Sequence, residues 1–156
     1  MHTEERTFIV IKPDGVQRGL VGRILNRFED KGFKIIALKL LKVSLEQAAA
    51  HYEEHLGKDF YDRLVSYITS GPVVAMVVEG YNAVKSVRQM VGMTDPANAD
   101  VGTIRADYAQ LKEYNTIHAS DSVESADRET NIYFAKEEIC ADWSNMLELL
   151  IYKSEE

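Results

Sequence analysis

Val73-Val74-Ala75-Met76-Val77-Val78 is an unbroken apolar run, rich in β-branched side chains. A strand with one wet face alternates apolar and polar residues. A strand covered on both faces does not, so this run reads as a central strand of a sheet. Thr7-Phe8-Ile9-Val10-Ile11 has the same character and the same reading. Leu20, Ile24 and Phe28 follow it at helical spacing, with Val21 and Leu25 widening the stripe, and Gly32 ends that helix by tolerating a left-handed conformation. Phe33 to Val43 reads as a second strand, with Lys34, Lys39 and Lys42 at wetter positions and an edge location. Past Val78, Asn82 caps a helix that buries Val84, Val87 and Val91 and exposes Lys85 and Arg88. Thr116 to His118 is a brief last strand, and Ser120-Asp121-Ser122 starts a helix, because short oxygen side chains cap orphan N–H groups.

The remaining segments fit around this frame. Ser44 with Gln47 has capping-box spacing and opens a helix through Ala48, Ala49, Ala50 and Tyr52, ending near Gly57. Phe60, Leu64 and Ile68 stripe another helix, which Gly71-Pro72 stops. Lys12-Pro13-Asp14-Gly15 reads as a turn with a lysine at its mouth, and Gly92 to Tyr114 as a long loop before the last strand. Loops of that length inside compact domains are usually functional. The tail holds a Glu137-to-Ile139 turn, Trp143 and an apolar segment from Met146 to Tyr152. The order is β-α-β, a helical insert, then β-α-β. It predicts an α+β chain with a ferredoxin-like split βαβ (βαββαβ) fold: a four-stranded, mainly antiparallel sheet with helices on its faces. That topology puts the first and third strands in the middle, where the two continuous apolar runs fall.

The 156 residues fit one domain, 1–156, with a proper core; 46% are hydrophobic and 28% charged, the balance of an ordinary soluble globular protein. No apolar run approaches membrane-spanning length, and Met1 to Arg6 lacks a basic-then-apolar signal pattern. A single cysteine, Cys140, excludes an internal disulfide framework and suits a reducing cytoplasm. The formal charge of −7 disfavours nucleic acid as the main partner, though a local basic cleft could hold phosphates.

The chemistry concentrates in Asn115-Thr116-Ile117-His118-Ala119-Ser120-Asp121-Ser122, with Glu129 further on. A Glu on the helix after Ser122 can face back toward a histidine at its entrance. That supplies a nucleophile or base (His118), a carboxylate to orient it (Glu129) and a hydroxyl between them (Ser120). A histidine behind two apolar residues is by itself more often structural, but a helix cap needs neither Asn115 nor His118. There is no Gly-rich phosphate loop ending in Lys-Ser/Thr and no protein-kinase motif set.

This stretch resembles the active-site signature of the nucleoside diphosphate kinase family, Asn-x-x-His-[Gly or Ala]-Ser-Asp-Ser. The resemblance runs from Thr7 to about Phe134. It takes in Ile11 to Arg18, His51-Tyr52, Thr69 to Val73, Arg88-Gln89-Met90, Gly92 to Pro96 and Gly102-Thr103-Ile104-Arg105. It implies transfer of the terminal phosphate of a nucleoside triphosphate to a nucleoside diphosphate, by a ping-pong mechanism through a phosphohistidine on His118. It implies a catalytic set of His118, Glu129, Ser120, Lys12 and Asn115, and a substrate-binding set of Lys12, Tyr52, Phe60, Arg88, Thr94, Arg105 and Asn115. Those residue types suit phosphates: Lys12 is a point charge, Arg88 and Arg105 offer planar forks, and Thr94 offers a hydroxyl. Phe60 matches one wall of a base clamp, whereas its periodicity alone reads as core. Glu129 and Ser120 are expected beside Nδ1 of His118, the phosphorylated nitrogen, with Nε2–H on a backbone carbonyl.

The resemblance further implies Mg²⁺ held mainly through nucleotide phosphates, with no protein metal ligands, and a homohexamer or, as an alternative, a tetramer. Lys112-Glu113 stands where the second clamp wall is commonly Val-Gly, and Val101 where a proline usually stiffens the loop. Ala119 replaces the commoner Gly, and Thr130 a usual aliphatic. Lys31, Lys34 and Lys58 read as solvated surface charges. The rival reading is a non-catalytic nucleic-acid-binding module on the same frame; Lys31-Gly32-Phe33 begins like the RNA-recognition signature, which then fails. Lys34, Ile35 and Leu38 stand where a small residue and aromatics are required.

Overall fold

The computed structural model describes residues 4–153. The elements are β1 (Glu4–Ile11), α1 (Pro13–Gln17), α2 (Val21–Lys31), β2 (Lys34–Leu41), α3 (Leu45–His51), α4 (Tyr61–Ile68), β3 (Val73–Tyr81), α5 (Ala83–Val91), α6 (Ile104–Tyr108), β4 (Ile117–Ala119), α7 (Val123–Tyr133) and α8 (Met146–Lys153). The sheet order is β2-β3-β1-β4, and every neighbouring pair is antiparallel. The two continuous apolar runs are the two central strands, as the topology requires.

Alternation along those strands builds two cores. Ile9, Ile11, Met76 and Val78 face α2 and α5, where Ile24, Phe28, Val87 and Val91 close over them. Phe8, Val10, Ala75 and Val77 face the other way, against Ala48 of α3, Ile68 of α4 and Tyr133 of α7. Ser44 and Gln47 form the expected capping box on α3. Gly32 ends α2 at φ 97°.

Four expectations change. Lys12-Pro13-Asp14-Gly15 leads into a short helix, because proline at the first helical position needs no N–H partner. Gly15 is needed for close approach: a Cβ there would lie 2.8 Å from Ile11 Cγ2 and 3.1 Å from Thr116 Cγ2. The long loop is not shapeless. It holds a 3₁₀ turn at Pro96–Asn98, capped by Asp95, and α6, capped by Thr103 and anchored by the fully buried Ile104. Asn82 precedes α5 with φ 50° and makes no side-chain cap bond.

The fourth change is Lys34. It is 3% exposed and not wet at all. Its Nζ lies 2.9 Å from Glu79 Oε1 and 3.2 Å from Glu148 Oε1, and donates to the carbonyls of Ala141 and Trp143. A buried ammonium persists only when its donors are matched, and here the C-terminal tail supplies three of the acceptors. The β2 strand lies at the sheet edge as expected, but with Leu38 49% and Leu40 65% exposed.

Candidate active site

The β4 strand pairs with β1 over only three residues, and His118 sits opposite Val10. The chain reaches that strand through Thr116 at φ 73°, a costly conformation for a β-branched residue. Three bonds hold it: the Thr116 carbonyl accepts from the Lys12 N–H at 2.8 Å, its Oγ1 donates to Asp14 Oδ2 at 2.7 Å, and Asn115 is tied elsewhere in the site. The stored strain fixes how β4 presents His118.

Ser122 caps α7 by accepting from Ser125 N at 3.0 Å. Glu129, 3% exposed, is carried on the same helix, which packs on β1. The Ser120 hydroxyl donates to Glu129 Oε1 at 3.0 Å, with the Phe8 carbonyl 3.3 Å away. Glu129 Oε1 meets His118 Nε2 in a short contact. The expected arrangement around the ring is therefore reversed. Glu129 holds Nε2 rather than standing beside Nδ1, and no backbone carbonyl holds Nε2. Helix α7 packs on β1 and carries the carboxylate to His118, and His51 Nε2 lies 3.9 Å from the same oxygen. Among the described residues nothing hydrogen-bonds Nδ1 of His118.

Around the imidazole lies a cleft of about 450 Å³, lined by all of Lys12, Tyr52, Phe60, Arg88, Thr94, Arg105, Asn115 and His118. Lys12 Nζ donates to Asn115 Oδ1 at 2.8 Å, and Asn115 Nδ2 donates to the Thr94 carbonyl at 3.0 Å. Arg105, 5% exposed, donates to the carbonyls of Gly92 and Ile117 at 2.9 and 2.6 Å. Arg88 is exposed and donates to the Ala119 carbonyl at 3.2 Å. Tyr52 stacks on His51, ring centroids 4.6 Å apart, and its buried hydroxyl has no partner. Phe60 is 37% exposed at the entrance of α4 and lines the cleft, so the core reading from its periodicity fails. Lys112 and Glu113 line the cleft as well.

Burial and mutual repulsion set the charges. Burial, and then Arg105, push the Lys12 ammonium down to about 7. Burial and then Arg88 lower Arg105 to about 10. Burial, followed by Lys12, Arg105 and Arg88, pushes His118 down to about 3, so the imidazole is neutral throughout the physiological range. Burial raises Glu129 against the pull of its neighbours. A neutral ring with Nε2–H on a carboxylate has its lone pair on Nδ1. The site thus combines a neutral imidazole with a free Nδ1 lone pair, a carboxylate that holds its Nε2 and cations that can hold phosphate oxygens.

The residues that the sequence singles out as a substrate-binding set line one cleft, but sequence reasoning underused His51. It is 4% exposed, and its Nδ1 meets the Tyr133 hydroxyl at 2.7 Å. Its position beside Tyr52 was the available signal.

A half-buried histidine held by a carboxylate and facing a fork of cations is an arrangement that can carry covalent phosphoryl transfer. The profile of the nucleoside diphosphate kinase family matches residues 5–139. The nucleoside diphosphate kinase of Saccharolobus solfataricus is 55% identical over 135 residues, covering 86% of this chain and 98% of its own. That of Methanocaldococcus jannaschii is 54% identical over 136 residues, 87% and 97% of the two chains. Among solved structures, a halophilic nucleoside diphosphate kinase from Halobacterium salinarum in complex with CDP superposes with a TM-score of 0.91 at 46% identity, covering 96% of this chain and 99% of that one. The enzyme from Aquifex aeolicus gives 0.85 at 44% identity, over 88% and 99%. The chain belongs to the nucleoside diphosphate kinase family. It is a nucleotide-binding phosphotransferase, and the family's reaction is ping-pong through a phosphohistidine.

Proposed function

We propose that His118 is the residue phosphorylated in this reaction. The observation that carries the reading is the neutral imidazole, bound through Nε2 to Glu129, in a cleft with Lys12, Arg88 and Arg105. In the first half-reaction Nδ1 attacks the terminal phosphorus of the triphosphate. The N–P bond forms as the bridging P–O bond breaks, and the diphosphate leaves with that electron pair. The imidazole gains positive charge, which Glu129 stabilises through Nε2–H. Ser120 keeps Glu129 in place. Lys12, Arg88, Arg105 and the Thr94 hydroxyl hold phosphate oxygens, and Lys12 with Asn115 also reaches sugar hydroxyls. The second half-reaction reverses these steps onto a different diphosphate.

The base stacks on Phe60, with the Lys112 stem covering it from the other wall. Family members need a divalent cation. Among the described residues the cleft offers no set of three carboxylates to cage one: its only group of three close ligand atoms is His51, His118 and Glu129. That favours Mg²⁺ carried by the nucleotide phosphates, where it supplies charge neutralisation. Replacing His118 by Ala should abolish exchange between unlike nucleotides; persistence of parallel-line ping-pong kinetics in that variant would overturn the assignment.

The chain acts as one domain, in a cytoplasmic homohexamer, with a tetramer as the alternative. The β2 edge strand with its exposed Leu38 and Leu40 supports self-association, and the free Cys140 supports a reducing compartment. Sedimentation at micromolar concentration showing only monomer would remove the oligomer. Among the described residues no helix is long and apolar enough to cross a membrane.

A further inference from the structure

His51 carries a ring nitrogen that the phosphoryl-transfer scheme does not use. Its Nε2 is buried and has no hydrogen-bond partner, in a residue only 4% exposed. An unpaired buried nitrogen of this kind calls for an explanation. It lies 3.9 Å from Glu129 Oε1, which also contacts His118 Nε2, and the three ligand atoms all fall within 4.8 Å of one another. Two imidazoles and one carboxylate are a donor set used by tetrahedral zinc sites that keep one position open. Tetrahedral ligands at zinc-to-nitrogen distances sit about 3.3 Å apart, so the longer separations need to close by up to about 1.5 Å while the short His118–Glu129 contact opens.

We infer that His51, His118 and Glu129 form an inhibitory binding site for a borderline-soft divalent cation such as Zn²⁺, distinct from the nucleotide-borne Mg²⁺. Imidazole donors select that class of ion over Mg²⁺. The support around the trio fits. The Tyr133 hydroxyl, 2.7 Å from His51 Nδ1, accepts Nδ1–H once the metal takes the Nε2 lone pair, and Ser120 holds Glu129. The open fourth position faces the cleft, where water or a phosphate oxygen completes the tetrahedron. The cations Lys12, Arg88 and Arg105 line the same cleft and weaken binding of any divalent ion, which makes the Glu129 charge essential.

Inhibition follows from proton placement. Neutral His118 holds its proton on Nε2. A metal–Nε2 bond displaces that proton, which moves through solvent to Nδ1. The nitrogen that attacks phosphorus then carries a proton and has no lone pair to offer. No net proton is released, because a neutral ring binds and only its tautomer changes. This consequence rests on the reading of His118 as nucleophile. The binding itself does not.

The test uses the full chain, freed of metal with a chelator. Zn²⁺ is titrated in competition with a chromophoric chelator, and Co²⁺ is added separately as a spectroscopic probe. The expected result is one ion per chain, a tetrahedral Co²⁺ spectrum, and loss of transfer activity that excess chelator restores. His51→Gln should weaken Zn²⁺ binding at least about tenfold, 1.4 kcal/mol. Glu129→Gln, which keeps the side-chain shape, should weaken it similarly, and Cys140→Ser should not change it. No binding, unchanged binding in both ligand variants, or loss in Cys140→Ser overturns the site. Binding as expected with undiminished transfer overturns the inhibition. Phosphate labelling of His118 is measured separately, so failure of the nucleophile assignment leaves the binding result standing.

Discussion

Lys12 is the group whose charge the empty cleft suppresses most usefully. Burial, and then Arg105, bring it down to about 7 from an ordinary 10.5. A bound phosphate reverses both effects, because it supplies a partner and offsets Arg105. At pH 8 the empty site therefore holds only about 0.1 proton on Lys12, and the occupied site about one. Nucleotide binding at pH 8 should take up about 0.9 proton, and at pH 6 only about 0.1. Calorimetry in two buffers of different ionisation enthalpy reads this number directly. Lys12→Arg should abolish the uptake, since a guanidinium stays charged throughout. His118 contributes nothing here, being held near 3. Uptake close to zero at pH 8 would mean that Lys12 is already charged in the empty site, and the electrostatic account of the cleft would be wrong. The same shift has a stability sign. Between about 7 and 10.5 the unfolded chain holds the extra proton, so stability from this group is full above 10.5 and is lost as pH falls through 7.

Glu129→Gln should slow transfer roughly 10- to 1,000-fold, about 1.4–4 kcal/mol, while leaving some phosphohistidine, which rapid-quench labelling would detect. Lys34→Met strands the buried carboxylates Glu79 and Glu148 and should cost about 3–5 kcal/mol in denaturant unfolding, with little effect on nucleotide KM. Phe60→Ala should weaken binding of every nucleotide alike, by about 1–3 kcal/mol. The wild-type specificity constants should differ among bases by less than roughly a thousandfold, about 4 kcal/mol; a larger preference would mean that the site reads base edges by hydrogen bonds.

The central strands were legible because burial on both faces leaves a plain mark: apolar residues without alternation from Phe8 to Ile11 and from Val73 to Val78. The candidate site was legible because its residue types are improbable together, and the fold brings Lys12, Arg88, Arg105, Asn115, His118 and Glu129 to one cleft. Lys34 was misread for a physical reason. A lysine in an edge strand is usually wet, and the partners that bury this one, Glu79 and Glu148, are distant in sequence. The ring orientation of His118 was misread for another. Spacing puts Glu129 near the imidazole but says nothing about which nitrogen it meets; that depends on α7 approaching from the β1 side. Phe60 has core periodicity, yet it stands at the N-cap position just before α4 and lines the cleft, because a helix entrance is not held to the buried stripe.

Incubation with ATP labelled in its terminal phosphate, followed by denaturation and peptide mapping, tests the central claim most directly. The account predicts acid-labile, base-stable label on His118, approaching one per chain, discharged by an added diphosphate and absent from His118→Ala. Label on Glu129 or any other residue, or stoichiometric label in His118→Ala, would contradict it.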